Sequence, residues 1–441
     1  MGIVLFENKK TCCGCSACAS ICPKGAIEMK PDDQGFIYPV VDSNLCVSCG
    51  ACKKVCAYQN ENSLHEPVRA YAAVNRKQEQ LAKSASGGVF AAVATYFLES
   101  GGVVFGASLD IRNGQSIPHL IGIENIEQLE RIQGSKYVQS AVEDTYKQAR
   151  QKLSEGREVL FSGTPCQIAG LYGYLKKDYN NLWTIDVICH GVPNEKFFND
   201  YLGVEAKKRG GVPIGYSFRD KKRGWGMNAR LDLRRPSGGE KSIYIPARLT
   251  SYNTLFLDGD IYRENCYECP YAHKERVADM TIGDFWGIER EHPELLKQDA
   301  FDERKGISCI LANTEKGVEL CKKITDRIWL SESSYDKIAR KNGQLSHPSD
   351  QSSRRKIIME LYEKAGYDGV EKWFHKKYRK QIIVHSIYNA IPRKVRVALK
   401  SIIKNLRRIT DGFKTHESEK NIASNKRRSR FYSGSGKRSG H

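Results

Sequence analysis

At 441 residues, with 40 % hydrophobic and 27 % charged residues, the chain has the make-up of a globular protein of about three domains. Its longest apolar runs, 87–97 and 382–391, are too short or too broken to span a bilayer, and the first residues lack a basic segment followed by an apolar one, so a cytoplasmic protein is expected. The formal charge of +19 is concentrated: residues 372–441 hold 20 Lys+Arg against 3 Asp+Glu, which leaves the first 371 residues near neutral and excludes that body as a general polyanion binder.

The first predicted unit spans residues 1–62. Nine of the fifteen cysteines lie before residue 57, and in a long chain of this class such clustering reads as metal ligation rather than a disulfide framework. Cys12, Cys15, Cys18 and Cys22 follow C-x2-C-x2-C-x3-C with Pro23 behind them; Cys46, Cys49, Cys52 and Cys56 repeat the spacing, with Ala57 in place of the proline. Thiolates suit zinc and iron–sulfur clusters alike, but zinc needs four ligands, usually as two separated C-x-x-C pairs. Three cysteines at i, i+3 and i+6 wrap one [4Fe–4S] cube, while the fourth reaches the neighbouring cube. Cys12, Cys15, Cys18 and Cys56 are therefore expected to hold one cluster, and Cys46, Cys49, Cys52 and Cys22 the other. Gly14 and Gly50 lie inside the loops, where the backbone must approach the sulfides closely. Cys13 is surplus and reads as a bystander. Residues 26–38 alternate around Asp32-Asp33-Gln34-Gly35, a hairpin signal, so the unit reads as an α+β ferredoxin-like domain.

Residues 63–370 alternate helical and strand patterns. Ser84-Ala85-Ser86-Gly87-Gly88 introduces an amphipathic run over 89–99, followed by a β-branched strand over 102–108. Residues 157–163 form a second strand that ends in Thr164-Pro165-Cys166-Gln167 and a helix to Leu175; 182–189 form a third, ending in Cys189-His190-Gly191. Strand, turn, helix and strand predict an α/β domain with a largely parallel or mixed sheet and ligands outside the strand carboxyl ends. Cys166 and Cys189 fall at such ends, and Cys266-Tyr267-Glu268-Cys269 supplies two more thiols. Those four suffice for one further [4Fe–4S] site; the other reading makes Cys166 and Cys189 small buried apolar residues. Cys309 and Cys321 suit the latter description and stand outside the set.

Taken in order, the ferredoxin repeats, Ser86-Gly87-Gly88, Gly134-Ser135-Lys136-Tyr137, Gly163-Thr164-Pro165-Cys166-Gln167, Cys189-His190-Gly191, Cys266-x-x-Cys269 and Gly283-Asp284-Phe285-Trp286-Gly287 resemble the coenzyme F-420 hydrogenase/dehydrogenase beta-subunit family over about residues 8–330. The resemblance implies an FAD-containing oxidoreductase with a [4Fe–4S] cluster beside the flavin, which maps onto Cys166, Cys189, Cys266 and Cys269. It also implies a ferredoxin-type donor or acceptor protein, and, because related bacterial chains accompany polysaccharide biosynthesis, a small-molecule or glycan-linked substrate. A flavin suits the chemistry, since it joins one-electron clusters to two-electron substrates. Ser84, Ser86, Gly87 and Gly88 at a helix start could bind the FAD pyrophosphate, or serve only as a cap with packing glycines. Ser135 is a further cofactor candidate. Lys136 could supply a cation near the flavin or stay solvated, and His190 is a candidate proton donor.

The third predicted unit, 371–441, is basic. Val395, Leu399, Ile402, Leu406 and Ile409 form one helical stripe amid arginines and lysines, which could lie on an anionic membrane surface at the inner face or dock on the body; beyond Thr410 the polar, Ser/Gly-rich sequence predicts disorder. No specific nucleic acid is expected, since the body carries no recognised motif. The expected function is electron transfer between ferredoxin-type clusters, FAD and an organic substrate, with an electron-relay subunit feeding a partner enzyme as the alternative.

Overall fold

A computed structural model describes residues 3–391 together with Val395. One compact unit runs to Tyr378. It opens on a hairpin of β1 (Ile27–Pro31) and β2 (Ile37–Val41), paired antiparallel from Ile27 opposite Val41 to Pro31 opposite Ile37. The turn is closed by Asp32, whose Oδ1 accepts from the amides of Gln34 and Phe36, while Gly35 at φ +92° takes the left-handed corner. Short helices at Ala17–Ile21 and Ala51–Lys54 flank the hairpin, each beginning inside one cysteine repeat.

The remainder of this unit is an α/β domain built on a mixed eight-stranded sheet. In chain order its strands are β3 (Arg69–Asn75), β4 (Val103–Arg112), β5 (Gln115–Ile123), β6 (Val159–Gly163), β7 (Leu182–Val187) and, after a separate meander, β11 (Met280–Asp284), β12 (Ser308–Ala312) and β13 (Ile328–Ser333). The spatial order is β13-β3-β12-β11-β7-β6-β4-β5. β4, β6, β7 and β11 run parallel, and antiparallel strands extend the sheet on both sides. The parallel centre follows from helical crossovers between Val-, Ile- and Phe-rich strands buried on both faces. The loops after β6, β7 and β11 consequently emerge at one end of the sheet.

The helix Val89–Glu99, read as amphipathic, is buried on most sides by Val89, Ala91, Ala92, Val93, Ala94, Phe97 and Leu98, because it packs within a core that also contains Val104, Leu160 and Ile185 of the sheet. The meander consists of β8 (Val212–Ser217), β9 (Ala229–Arg234) and β10 (Glu240–Ile245), paired antiparallel. An aromatic core of Phe197, Phe198, Tyr201, Tyr252, Tyr362 and Tyr367 joins it to the helices on its flank. The last of these, Arg354–Lys377, breaks at Gly366 (φ 60°, ψ −165°).

Two glycines bring the cysteine repeats onto the α/β domain. The helix Pro165–Leu175 starts with a capping box between Thr164 and Gln167. A Cβ at its Gly170 would lie 2.9 Å from Cys15 Sγ, and one at Gly173 would lie 2.5 Å from the Val55 carbonyl oxygen. Beyond Tyr378 a separate helix, Arg379–Ala390, has no buried residue. The apolar stripe expected over 392–409 lies outside the described residues except for Val395. Among the described residues no helix is long and apolar enough to cross a membrane.

Candidate functional site

The fifteen cysteines fall into groups that the chain's local geometry explains. In the first repeat Gly14 (φ +67°) and Ser16 (φ 63°) turn the loop left-handed, and Ser48 (φ 52°) and Gly50 (φ +72°) do the same in the second, so that successive thiols face inward. Cys12, Cys15, Cys18 and Cys56 lie within electrostatic reach of one another. Cys22, Cys46, Cys49 and Cys52 line a separate small cavity closed by Pro23, Ala26 and Ile27. The fourth cysteine of each repeat thus stands with the first three of the other. Burial pushes the thiols of Cys12, Cys18, Cys52 and Cys56 up, so they would ionise only on meeting a metal. Among the described residues no three His, Cys, Asp or Glu side chains close on a single ion; the thiols stand around cavities instead.

The main cavity, about 300 Å³, opens at the carboxyl ends of β6, β7 and β11, within the size range of small-molecule sites. Cys166 arrives at the first turn of the helix after β6, Cys189 in the loop after β7, and Cys266 and Cys269 from the turn ahead of β11; all four line this cavity. Burial pushes the Cys266 thiol up to about 12, Cys269 to about 11 and Cys189 well above its usual range. Cys166 goes the other way, to about 7, because Cys13 hydrogen-bonds to it. Cys13 is buried between Cys15 and Cys166 and lowers both, so the supposed bystander is the side chain that separates the first thiol group from the third.

Ser84, Ser86, Gly88, Ser135, Lys136 and His190 also line this cavity. Gly87 does not; a Cβ there would fall 2.3 Å from the Ala73 carbonyl oxygen, so its place is packing against β3. The Ser84 hydroxyl donates to Gln80 O (2.7 Å) and that of Ser86 to Ile307 O (3.0 Å). Both protons are therefore spent on fixing the loop; Val89 and Phe90, which also line the cavity, begin a helix whose first-turn amides have no partner within the helix. Lys136 Nζ donates to Gln133 O (2.9 Å) and Gly134 O (3.3 Å). Its side chain is half-exposed, but the ammonium is enclosed, and burial lowers its pKa to about 7 against a small opposing pull from Asp110. His190 is an exposed residue on the rim of the cavity; burial of its ring lowers its pKa against an opposing pull from Asp284, with Arg219 acting in the same sense as burial.

Arg219, Lys221 and Trp225, residues without an isolated sequence signal, hold parts of the wall in place from outside the lining. Asp284, at the end of β11, holds Arg219 through two contacts of 2.7 and 3.2 Å and accepts from Trp225 Nε1 at 3.1 Å. Arg219 in turn donates to the Tyr137 hydroxyl at 2.9 Å, which ties the Gly134-to-Tyr137 turn to β11. Lys221 Nζ donates to Leu81 O and Ser86 O. The Gly283-Asp284-Phe285-Trp286-Gly287 motif was the one signal that could have pointed to this scaffold; its arginine and lysine partners sit too far away in sequence to be read.

The donor set fits iron–sulfur clusters: twelve thiols in three groups, of which only one member, Cys49, is fully exposed. The main cavity also fits a flavin in character, with a helix start at Val89 and Phe90, glycines at 88, 134 and 163, and a cation of near-neutral pKa among its lining residues.

Comparison with known proteins identifies two regions of the chain. Residues 11–60 match the 4Fe-4S dicluster domain, and residues 156–337 match the carboxyl-terminal region of the coenzyme F420 hydrogenase/dehydrogenase beta subunit. The resemblance read from the ordered motifs therefore holds. The F subunit of the F(420)H(2) dehydrogenase of Methanosarcina mazei is 24 % identical over 163 residues, 35 % of this chain and 46 % of that protein. The methylamine utilization ferredoxin-type protein MauM of Methylobacillus flagellatus is 38 % identical over 66 residues, 13 % of this chain and 28 % of that protein. The chain thus spans less than half the length of these curated relatives. A chain from the F420-reducing [NiFe] hydrogenase complex of Methanosarcina barkeri overlays 72 % of this chain and 93 % of its own at a TM-score of 0.37 and 15 % identity, too loose a likeness to argue from.

Proposed function

We propose that this chain, an iron–sulfur protein related to the beta subunits of coenzyme F420 hydrogenase/dehydrogenase, is a flavin-linked oxidoreductase that passes electrons between a protein partner and a small-molecule or glycan-linked substrate. In this reading Cys12, Cys15, Cys18 and Cys56 hold one [4Fe–4S] cluster, Cys22, Cys46, Cys49 and Cys52 a second, and Cys166, Cys189, Cys266 and Cys269 a third, with FAD in the adjoining cavity. Bound clusters would supply one-electron transfer, and a bound flavin would join it to two-electron chemistry. The observation that carries the reading is the convergence of four cysteines from three separate loops on the cavity that also receives Ser84, Gly88, Ser135, Lys136 and His190.

The chain's own residues supply the remaining requirements. Cys49 is exposed, and Val40, Leu45 and Val47 nearby in sequence expose apolar surface, which suits a redox partner such as a ferredoxin. Cys13 packs the first thiol group against the third. Lys136 Nζ can hold or release a proton near neutral pH, and His190 sits at the cavity wall with its pKa lowered by burial. The Arg219–Asp284 pair keeps the Gly134-to-Tyr137 turn in place without contributing a mobile charge. The Methanosarcina mazei relative is by name one subunit of a dehydrogenase, which favours a second reading in which the chain relays electrons to a partner enzyme and has no substrate of its own.

Anaerobically reconstituted protein tests both. About twelve irons and one flavin per chain, with reduction of a soluble acceptor in the absence of other proteins, is the expected result for the oxidoreductase. A plateau near eight irons removes the third cluster. Full loading without acceptor reduction leaves the relay.

A further inference from the structure

Arg263 is among the most deeply buried side chains of the protein, with no measurable exposure. Its guanidinium donates to Cys12 O at 3.0 Å and Ile37 O at 2.8 Å, and reaches Gln139 Oε1 at 3.5 Å and Cys12 Sγ at 3.8 Å. Its carbon lies 3.9 Å from the centre of the Tyr38 ring. Every one of these partners is neutral, and no carboxylate among the described residues stands within ion-pair distance. A buried cation without a counter-charge is costly, by several kcal/mol, so a fold that keeps one requires an anion near it. Two candidate anions are at hand. The guanidinium stands 3.8 Å from Cys12 Sγ of the first thiol group; towards the third, Arg263 opens the turn in which the Cys266 amide donates to Arg263 O at 3.0 Å, and Gln139, which the guanidinium reaches, lines the same cavity as Cys166 and Cys266. None of the Arg263 partners lines the cavity of the second group, around Cys22 and Cys46.

We infer that Arg263 is a shared counter-cation for two clusters, raising the reduction potentials of the one held by Cys12, Cys15, Cys18 and Cys56 and the one held by Cys166, Cys189, Cys266 and Cys269, and leaving the third member of the chain's set untouched. The inference rests on the cluster reading above. Each [4Fe–4S]2+ core with four thiolates carries a net charge of about −2, and reduction adds another negative charge. A fixed positive charge and an N–H directed at a ligand sulfur both favour the reduced form. One cation would bias both clusters in the same direction, while the outer cluster is set by its own exposure. Arg263 is thus a positioning and tuning residue; no bond is made or broken at it.

The test uses the full-length, anaerobically reconstituted protein and reads each cluster by EPR-monitored potentiometric titration. About twelve irons in the wild type establish the cluster reading before any variant is measured; a value near eight overturns the shared role outright. Arg263→Gln should favour oxidation of both clusters at least tenfold, about 59 mV lower for a one-electron couple, with the Cys22 cluster unmoved. Arg263→Lys keeps the charge and should shift both by less than half as much. Unchanged potentials in the Gln variant, an equal shift of the Cys22 cluster, or identical behaviour of Lys and Gln each overturn the inference. If the Gln variant does not load, the Lys variant decides: full loading with near wild-type potentials supports the shared charge, and a loading failure like that of Gln reduces Arg263 to packing and overturns it.

Discussion

Replacing Gly173 by alanine sets two opposed effects against each other, and the geometry predicts which prevails. Alanine is the better helix former by about 1 kcal/mol, and Gly173 lies inside the helix Pro165–Leu175. Its new Cβ, however, would stand 2.5 Å from the Val55 carbonyl oxygen and 3.2 Å from the carbonyl carbon. Real Cβ contacts almost never fall below 3.0 Å, so the chain at Val55 must retreat by about half an ångström or more. The obstacle is backbone, which cannot rotate aside, and the next residue is Cys56. Overpacking of this kind costs about 1–3 kcal/mol, so Gly173→Ala should destabilise by up to about 2 kcal/mol net. Gly203 is the control: it lies in the helix Glu195–Arg209, and its Cβ would meet nothing within 4 Å. Gly203→Ala should therefore stabilise by about 1 kcal/mol. Thermal melts of the anaerobic proteins, with iron counted before and after purification, give both answers. Gly173→Ala should melt lower and lose iron from the site that includes Cys56, while Gly203→Ala melts higher with full iron. Equal stabilisation in both, with iron retained, would show that the repeats do not sit on this helix.

Two further predictions follow from the site. Cys22 stands with Cys46, Cys49 and Cys52, so Cys22→Ala should damage the cluster of the second repeat and spare that of the first; an EPR change confined to the first-repeat cluster would contradict the exchange of fourth ligands. Lys136 has a folded-state pKa of about 7, below the usual 10.5, so the unfolded chain binds more protons between these values and wild-type stability gains with rising pH in that window. The stability difference between Lys136→Met and wild type should accordingly shrink by about 2 kcal/mol or less from pH 7 to 10.5, after discounting for the half-exposed side chain; a difference flat with pH would show the ammonium to be solvated.

The grouping of the repeat cysteines was legible because three of the four thiols in each group lie three residues apart within one repeat, so local spacing encodes most of the wrapping. The strands ending near Cys166 and Cys189 were legible for a similar reason, since β-branched runs bounded by turn residues are local signals. The hairpin turn at Asp32 belongs with them. What the sequence could not reveal is everything that depends on which loops meet. Ser84 and Ser86 read either as hydroxyls for a phosphate or as a helix cap, and it takes the fold to show that Gln80 and Ile307 accept their protons. Cys13 read as idle because its neighbour Cys166 is brought to it only when the helix after β6 packs on the first repeat. The meander of β8, β9 and β10 was not anticipated, although Ala229–Arg234 alternates buried and half-buried residues, because its outer strands β8 and β10 bury few side chains. Arg263 is an unremarkable arginine beside a C-x-x-C pair until folding removes it from water and sets it against Cys12, which lies on the far side of the sequence. Spacing along the chain fixes which ligands can share a cluster; burial and charge compensation arise from long-range packing, and only the tertiary structure decides them.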